Sequence, residues 1–357
     1  MEKCNKMNIE DTPERVENNK NNANLIPMDE ERENPKSKEP NKRKLKDKKS
    51  SSELNCSTST SHSNTTCSMD KSMSSQNESI INKSSSNVDT EKERESNQFN
   101  VEYLDEIYTN LIYDEKFCKL AINKDYMAGQ KDINQKMRAI LIDWIIEVHY
   151  CLNLKSKTLF QVVYIIDLYL SHKNIKRINL QLLGVASLLI SFKSNEVYIP
   201  NLQHFIDTTG GAYTKSELLD MEKDILKTLN FEILFPTAED FYSIISKFYN
   251  FTEIQNYLGY YFLDSSLIDL GLLKYKPSTI GVACAYIVMK FYRLNGYKDL
   301  YSPKMVNENS PEKTIKECAK ELCFLVKNLS GSNLKSAKEK YSSAKFGNVS
   351  SICDERQ

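Results

Sequence analysis

The chain has 357 residues, nine of them cysteines, with 48 Lys and Arg balanced by 48 Asp and Glu. This length accommodates two domains, or one domain with a long tail. From residue 101 onward there are 31 basic and 30 acidic side chains, which argues against a large nucleic-acid-binding surface. No apolar run reaches membrane-spanning length, and the cysteines form no Cys-x-x-Cys pair, which favours reduced thiols in the cytosol or nucleus.

Residues 1–98 form a segment of very different composition. They contain no Phe, Tyr or Trp and are dominated by Asn, Ser, Lys and Glu. Such a segment cannot bury enough apolar surface to offset the entropy of ordering its backbone. We therefore predict a disordered tail.

The tail carries two short motifs. The stretch 36–49 holds eight Lys and Arg and two acids, including Lys42-Arg43-Lys44-Leu45-Lys46. It predicts a nuclear-localisation signal, so we expect the protein in nucleus and cytoplasm; the alternative is an ordinary basic patch. Thr12-Pro13-Glu14-Arg15 fits a proline-directed phosphorylation site.

The remainder predicts an all-α protein. Apolar residues recur with helical periodicity in ten segments: 101–112, 134–152, 156–171, 178–195, 214–229, 237–249, 253–271, 277–293, 311–328 and 333–342. Thr214 precedes Glu217 at the spacing of a capping box. Ser310-Pro311 predicts an N-cap before a first-turn proline; Ser310-Pro311-Glu312-Lys313 also fits the proline-directed pattern, but capping is the better explanation.

An internal repeat indicates two similar domains. The run 184–193 (GVASLLISFK) recurs 97 residues later at 281–290 (GVACAYIVMK), with five of ten positions identical. Small residues such as Gly184 and Ala186 let neighbouring helices approach closely. We predict two helical domains of about 100 residues that join near Pro236.

The segment 137–149 predicts a helix with apolar residues on two faces. Arg138 lies on the same side as Ile142 and Ile145, whereas Met137 and Trp144 lie on the other side. An ordinary surface helix has one apolar face. Either one face contacts a partner, or the helix is buried all round.

Four runs resemble the mitotic cyclins of the A and B types, and the B type most closely. They are 137–148 (MRAILIDWIIEV), 164–170 (YIIDLYL), 180–184 (LQLLG) and 339–350 (EKYSSAKFGNVS). The resemblance implies tandem five-helix cyclin boxes. The expected organisation is a disordered tail at 1–98, a flanking helix region at 99–134, a first box at 135–234 and a second box at 236–346.

The resemblance implies a regulatory subunit that binds and activates a cyclin-dependent kinase, recruits substrates and acts at G2/M. Lys193 and Glu222 match the pair that holds the kinase's regulatory helix. A lysine and an acid can bond backbone and charged groups at an interface rim. The segment 101–111 resembles the flanking helix that touches the kinase, which makes Tyr103 and Ile107 candidate contacts; on spacing alone it is an amphipathic helix docked on its own domain.

A second surface is implied by the same resemblance. Seven residues match a docking patch for substrates or inhibitors with Arg-x-Leu motifs: Met137, Ile140, Leu141, Trp144, Glu147, Arg177 and Gln181. An apolar groove beside a carboxylate suits one cation and one leucine. Burial of this face in the protein core is the alternative. Arg138 and Asp167 match a buried structural pair, since a charge among apolar residues is costly unless paired.

No catalytic or metal-binding constellation is present in the sequence. The four histidines, at 62, 149, 172 and 204, lack metal-ligand spacing, and His149 is expected to be structural. We therefore expect a non-enzyme without metal or cofactor, with no membrane association and no direct nucleic-acid contact. The alternative is a transcription factor built on tandem cyclin-like folds, which the near-neutral charge and the lack of a zinc ribbon disfavour.

Overall fold

The computed structural model describes residues 103–118, 122–197, 201–306 and 308–356. The predictions on the tail, including Thr12 and the basic run 42–46, lie outside these ranges. Within them the chain forms α-helices and short 3₁₀ turns and no strand, so the all-α prediction is confirmed.

The described residues of the first half form seven helices: α1 (Leu104–Phe117), α2 (Tyr126–Gly129), α3 (Gln135–Cys151), α4 (Ser156–His172), α5 (Leu180–Asn195), α6 (Leu202–Asp207) and α7 (Lys215–Thr228). Helices α3, α4, α5 and α7 each begin and end within two residues of their predicted bounds. The pattern missed α2 and α6 because four to six residues are too few to show a helical period.

Six helices lie in the part of the second half that the structure describes: α8 (Ala238–Phe248), α9 (Glu253–Ser266), α10 (Pro277–Phe291), α11 (Pro311–Ser330), α12 (Ser336–Tyr341) and α13 (Val349–Arg356). The helix predicted at 253–271 ends at Ser266, and a 3₁₀ turn follows at Leu270–Lys274. The Asp269 carboxylate starts that turn by accepting the Gly271 N–H at 2.9 Å.

Threonines begin three of the helices with reciprocal capping bonds. Thr214 caps α7, Thr237 caps α8 and Thr252 caps α9, so the capping box at Thr214 is confirmed. Ser310 is the N-cap residue of α11 with Pro311 in the first turn, as predicted, but its side chain makes no capping hydrogen bond. The Ser310 carbonyl accepts the Thr314 N–H and the Thr314 hydroxyl, each at 3.1 Å.

The repeated run forms the central helix of each half. Helix α5 packs against α4 and α7, and α10 packs against α8, α9 and α11. A Cβ at Gly184 would lie 2.9 Å from Leu141 Cδ1, and a Cβ at Gly281 would lie 2.7 Å from the Ala238 carbonyl oxygen. Each glycine therefore permits a close approach that no side chain would allow.

Arg138 and Asp167 form a buried ion pair between α3 and α4. Arg138 Nε donates to Asp167 Oδ1 and Nη2 donates to Oδ2, both at 2.7 Å, and the residues are 1% exposed. Arg138 Nη1 also donates to the carbonyl oxygens of Leu267 at 3.0 Å and Ile268 at 3.3 Å. The pair therefore joins the two halves of the protein.

A second buried ion pair lies within the second half. Lys340 Nζ donates to Asp264 Oδ2 at 2.6 Å, and the two side chains are 4% and 0% exposed. The Tyr341 hydroxyl donates to the same oxygen at 3.0 Å. This pair fixes α12 against α9.

Helix α1 packs against α8 and α10 of the second half through a face that the sequence did not predict. Leu104 and Tyr108 are buried, whereas Tyr103 and Ile107 are 50% and 45% exposed. The Tyr108 hydroxyl donates to the Met305 carbonyl at 2.7 Å. The buried residues Leu104 and Tyr108 thus each lie one position after the predicted pair, Tyr103 and Ile107.

We expect Arg138→Met to lower the free energy of unfolding by about 3–5 kcal/mol, because it leaves the Asp167 charge buried without its partner. The double variant Arg138→Met with Asp167→Leu should recover part of that loss, since neither charge remains. Urea denaturation measures both values. A single variant as stable as the parent chain would show that the pair does not hold the fold.

His149 predicts a pH dependence. Burial lowers its pKa to about 4, assisted by the nearby Lys340 charge, while Nε2 bonds the Lys155 carbonyl at 2.9 Å. Because the folded pKa lies below the unfolded value of about 6.5, stability is complete above pH 6.5 and falls as pH drops toward 4, by about 3 kcal/mol from this residue.

The measurement is urea denaturation of the parent chain and His149→Gln at several pH values. Glutamine places a donor near the position of Nε2 but does not titrate. The stability difference between the two proteins should shift in favour of the variant between pH 6.5 and 4. A difference that is constant with pH would contradict the assignment.

Candidate functional site

Lys193 and Glu222 lie together on the surface of the first half. Lys193 is in the last turn of α5, and Glu222 is on α7 between Leu218 and Ile225, which are buried. Lys193 Nζ and Glu222 Oε1 are 2.6 Å apart, and their side chains are 40% and 12% exposed. Each group is thus held in place by the other at the edge of the core.

Gln161 connects this pair to the segment between the two halves. The Asn195 amide at the end of α5 donates to Gln161 Oε1, and Gln161 Nε2 donates to the Ile233 carbonyl at 3.0 Å. Gln161 is buried. Hydrogen bonds through Gln161 therefore link the end of α5 and helix α4 to residues 231–236.

Two exposed apolar side chains that the sequence did not indicate project from this connecting segment. Phe231 is 69% exposed and Leu234 is 74% exposed. Phe231 has a φ of 60°, in the left-handed region that is strained for a bulky residue. A costly conformation that keeps an aromatic ring in water is typical of a binding site. The sequence offers one sign of these exposed side chains: two large apolar residues, Leu234 and Phe235, directly precede Pro236.

Helix α1 lies beside the connecting segment. Tyr113 and Phe117 are 61% and 56% exposed, in addition to Tyr103 and Ile107. A groove runs between α1, the start of α4 and the connecting segment. Its apolar walls include Leu111, Phe117, Ile233, Leu234 and Phe235.

The rim of this groove is acidic. Asp114, Glu232 and Asp240 lie on it together with Lys157. Lys157 Nζ is 2.8 Å from Asp240 Oδ1, so the lysine charge is already neutralised. Two further carboxylates remain to attract a positively charged partner residue.

The predicted docking patch on α3 is largely core. Leu141 is completely buried, and Met137 and Trp144 are 9% and 8% exposed. The prediction that Leu141 faces outward is wrong: its Cδ1 packs where Gly184 leaves room on α5. The alternative of a helix buried nearly all round describes these residues better.

Part of the patch still reaches the surface. Ile140, Glu147, Arg177 and Gln181 are each half-buried. Trp144 Nε1 and Gln181 Nε2 are buried donors with no hydrogen-bond partner. An unsatisfied buried donor costs about 1–3 kcal/mol, so these two atoms would be stabilised by an acceptor supplied from outside.

The described residues contain no candidate metal-binding site. No group of three or more His, Cys, Asp and Glu side chains there could hold a metal ion. Among the same residues, no helix combines the length and apolarity needed to cross a bilayer.

The sequence matches two family descriptions over most of its length. "Cyclin, N-terminal domain" matches residues 106–234, and "Cyclin, C-terminal domain" matches residues 236–355. The chain belongs to the cyclin family. The run of apolar residues around Trp144 and the repeated central helices are therefore features of tandem cyclin boxes, as the resemblance implied.

Several B-type cyclins are similar to this cyclin. "Cyclin-B2-2" of Oryza sativa subsp. indica is 34% identical over 247 residues, 69% of this chain and 58% of the relative. "G2/mitotic-specific cyclin-B" of Hydra vulgaris is 34% identical over 252 residues, 70% of this chain and 68% of the relative. The match thus spans less than two thirds of the length of the rice cyclin.

A solved structure has the same fold. A viral cyclin from herpesvirus saimiri aligns with a TM-score of 0.55 and 19% sequence identity, over 61% of this chain and 97% of the viral chain. This likeness concerns the arrangement of helices alone.

Proposed function

We propose that this cyclin binds and activates a cyclin-dependent protein kinase in control of mitosis. The observation that carries the proposal is the Lys193–Glu222 ion pair at the edge of the first box. The strained and exposed Phe231 and the groove beside the exposed residues of α1 support it. The names of its B-type relatives, which include "G2/mitotic-specific", support the mitotic role.

The geometry suits recognition of a helix end. Lys193 can donate to carbonyl oxygens at the C-terminus of a partner helix, and Glu222 can accept from an N–H or a cation. Because the two charges are paired in the free protein, binding exchanges one set of charge-assisted bonds for another. Little side-chain ordering is then required.

Activation follows if the surface prefers one state of the kinase. A partner shifts a two-state equilibrium only by its differential affinity for the two states. Apolar contacts from Phe231 and the α1 groove provide affinity, and Lys193 with Glu222 provide the orientation in which the regulatory helix of the kinase is held. The cyclin itself performs no chemistry in this mechanism.

We expect Lys193→Ala with Glu222→Ala to weaken kinase binding by at least tenfold, about 1.4 kcal/mol, because the orienting contacts are lost. The assay captures the tagged full chain from its native cells and measures co-captured kinase and phosphorylation of histone. The matched control is Lys274→Ala with Glu321→Ala, which removes another ion pair on the surface, with Nζ and Oε2 2.7 Å apart.

Two outcomes would contradict the proposal. One is capture of polymerase components on DNA in place of a protein kinase, which would favour the transcription-factor alternative. The other is an equal loss of co-captured kinase in the control variant, which would show that weaker binding comes from removing surface charges in general rather than from this site.

We further propose that the half-buried remainder of the patch on α3 docks substrates with Arg-x-Leu motifs. The unpaired donors on Trp144 and Gln181 support this function, because a peptide carbonyl would satisfy them. The Glu147 carboxylate lies on the same helix and is suited to the arginine of the motif. Ile140 offers the apolar contact for the leucine.

We expect Gln181→Met to raise the KM for an Arg-x-Leu substrate several-fold while kinase binding stays unchanged. Methionine retains the side-chain volume but lacks the amide donor. The control substrate has Ala-x-Ala in place of the motif, and its KM should be the same for both proteins. Equal KM values for the two substrates in the parent chain would show that no such docking occurs. Trp144→Ala is less informative, because truncating a buried tryptophan destabilises the fold.

A further inference from the structure

Two Ser-Pro dipeptides lie in the described part of the second half. They are Ser302-Pro303-Lys304-Met305 and Ser310-Pro311-Glu312-Lys313. Only the second has a basic residue three positions after the serine. Thr12-Pro13-Glu14-Arg15 in the tail has the same pattern as the second. A proline-directed kinase that favours a cation at this position would therefore distinguish Ser310 from Ser302.

The two serines also differ in their surroundings. Ser310 is exposed, and its side chain makes no capping hydrogen bond to α11. Ser302 is half-buried, and its Oγ accepts the Lys304 N–H at 3.3 Å. Ser310 is the N-cap residue of α11, but the cap does not engage its hydroxyl, which therefore remains available for modification.

The Ser310 carbonyl is held to the first turn of α11 by two bonds from Thr314, whereas the Ser310 hydroxyl makes no capping bond. Ser310 has φ −135° and ψ 73°, outside the helical region. Pro311 at the first helical position has no N–H to lose. Fraying of this one turn would present the serine and the following residues in the open form that a kinase requires.

The depression that contains Ser310 carries both lysines and carboxylates. Ser310 shares a shallow depression with Lys313, Lys316 and Lys320. Glu312 and Glu317 line it too, and Lys316 Nζ is 2.5 Å from Glu312 Oε1. A phosphate carries a charge of about −1.5 to −2 at neutral pH, so it can compete with the single charge of Glu312 for Lys316. The start of the 20-residue helix α11 adds its favourable dipole.

We propose that Ser310 is a phosphorylation site for a proline-directed serine/threonine kinase. In the reaction Ser310 Oγ bonds to the γ-phosphorus of ATP, the bond from that phosphorus to the bridging oxygen of ADP breaks, and the hydroxyl proton passes to the kinase base. The products are phosphoserine and ADP. The proposal does not depend on whether this cyclin itself activates a kinase.

The test therefore uses a preassembled, active complex of a cyclin-dependent kinase with a cyclin from another source. The full chain is incubated with this enzyme and Mg-ATP, and phosphopeptides are quantified by mass spectrometry. Histone serves as the positive control for activity of the enzyme. We expect phosphate on Ser310, loss of that phosphopeptide in Ser310→Ala, a lower rate in Lys313→Ala, and no change in Ser302→Ala.

A second measurement tests the lysine surroundings. The second pKa of the phosphoserine, followed by ³¹P NMR, should lie below the usual value of about 6 and should rise in Lys316→Ala with Lys320→Ala. The proposal is overturned if histone is phosphorylated while Ser310 is not, or if Ser302 is modified as fast as Ser310. Ser310→Ala should melt at the parent temperature, since the hydroxyl makes no capping bond.

Discussion

The Arg138 guanidinium is the group on which the arrangement of the two cyclin boxes depends. It binds Asp167 through two parallel hydrogen bonds and reaches two carbonyl oxygens of the second half through its remaining nitrogen. The Tyr126 hydroxyl donates to Asp167 at 2.7 Å. A planar guanidinium with donors fixed in one plane can hold three elements at set angles, which a lysine could not do.

The proposed kinase-binding surface is a consequence of this arrangement. Its parts come from α1, from α4 and α5, and from the connecting segment 231–236. The hydrogen bond from Gln161 to the Ile233 carbonyl and the ion pair of Lys157 with Asp240 join the boxes along the groove. The position of Phe117 on the docked helix α1 relative to Lys193 is therefore a property of the two-box unit, not of either box alone.

Sequence predicted the features that are local or chemically rare. The long helices are evident from their periodicity, and Arg138 is evident as a charge within an apolar arc that needs an acid. It could not predict that α1 docks through Leu104 and Tyr108, because the partners of that face lie in the second half. The burial of Leu141 depends on the absence of a side chain at Gly184, and the exposure of Phe231 depends on a φ that no pattern encodes.

Helix α1 is synthesised before the other described helices, but the groups that hold it in place are synthesised much later. Its Glu115 carboxylate accepts the Ser278 N–H and hydroxyl, each at 2.7 Å, across 163 positions of sequence. Tyr108 likewise bonds a carbonyl 197 positions away. During vectorial synthesis the first box can therefore fold before α1 has its complete docking surface, because α8 and then α10 must be translated first. The apolar side of α1 is fully covered only when both of these helices are in place.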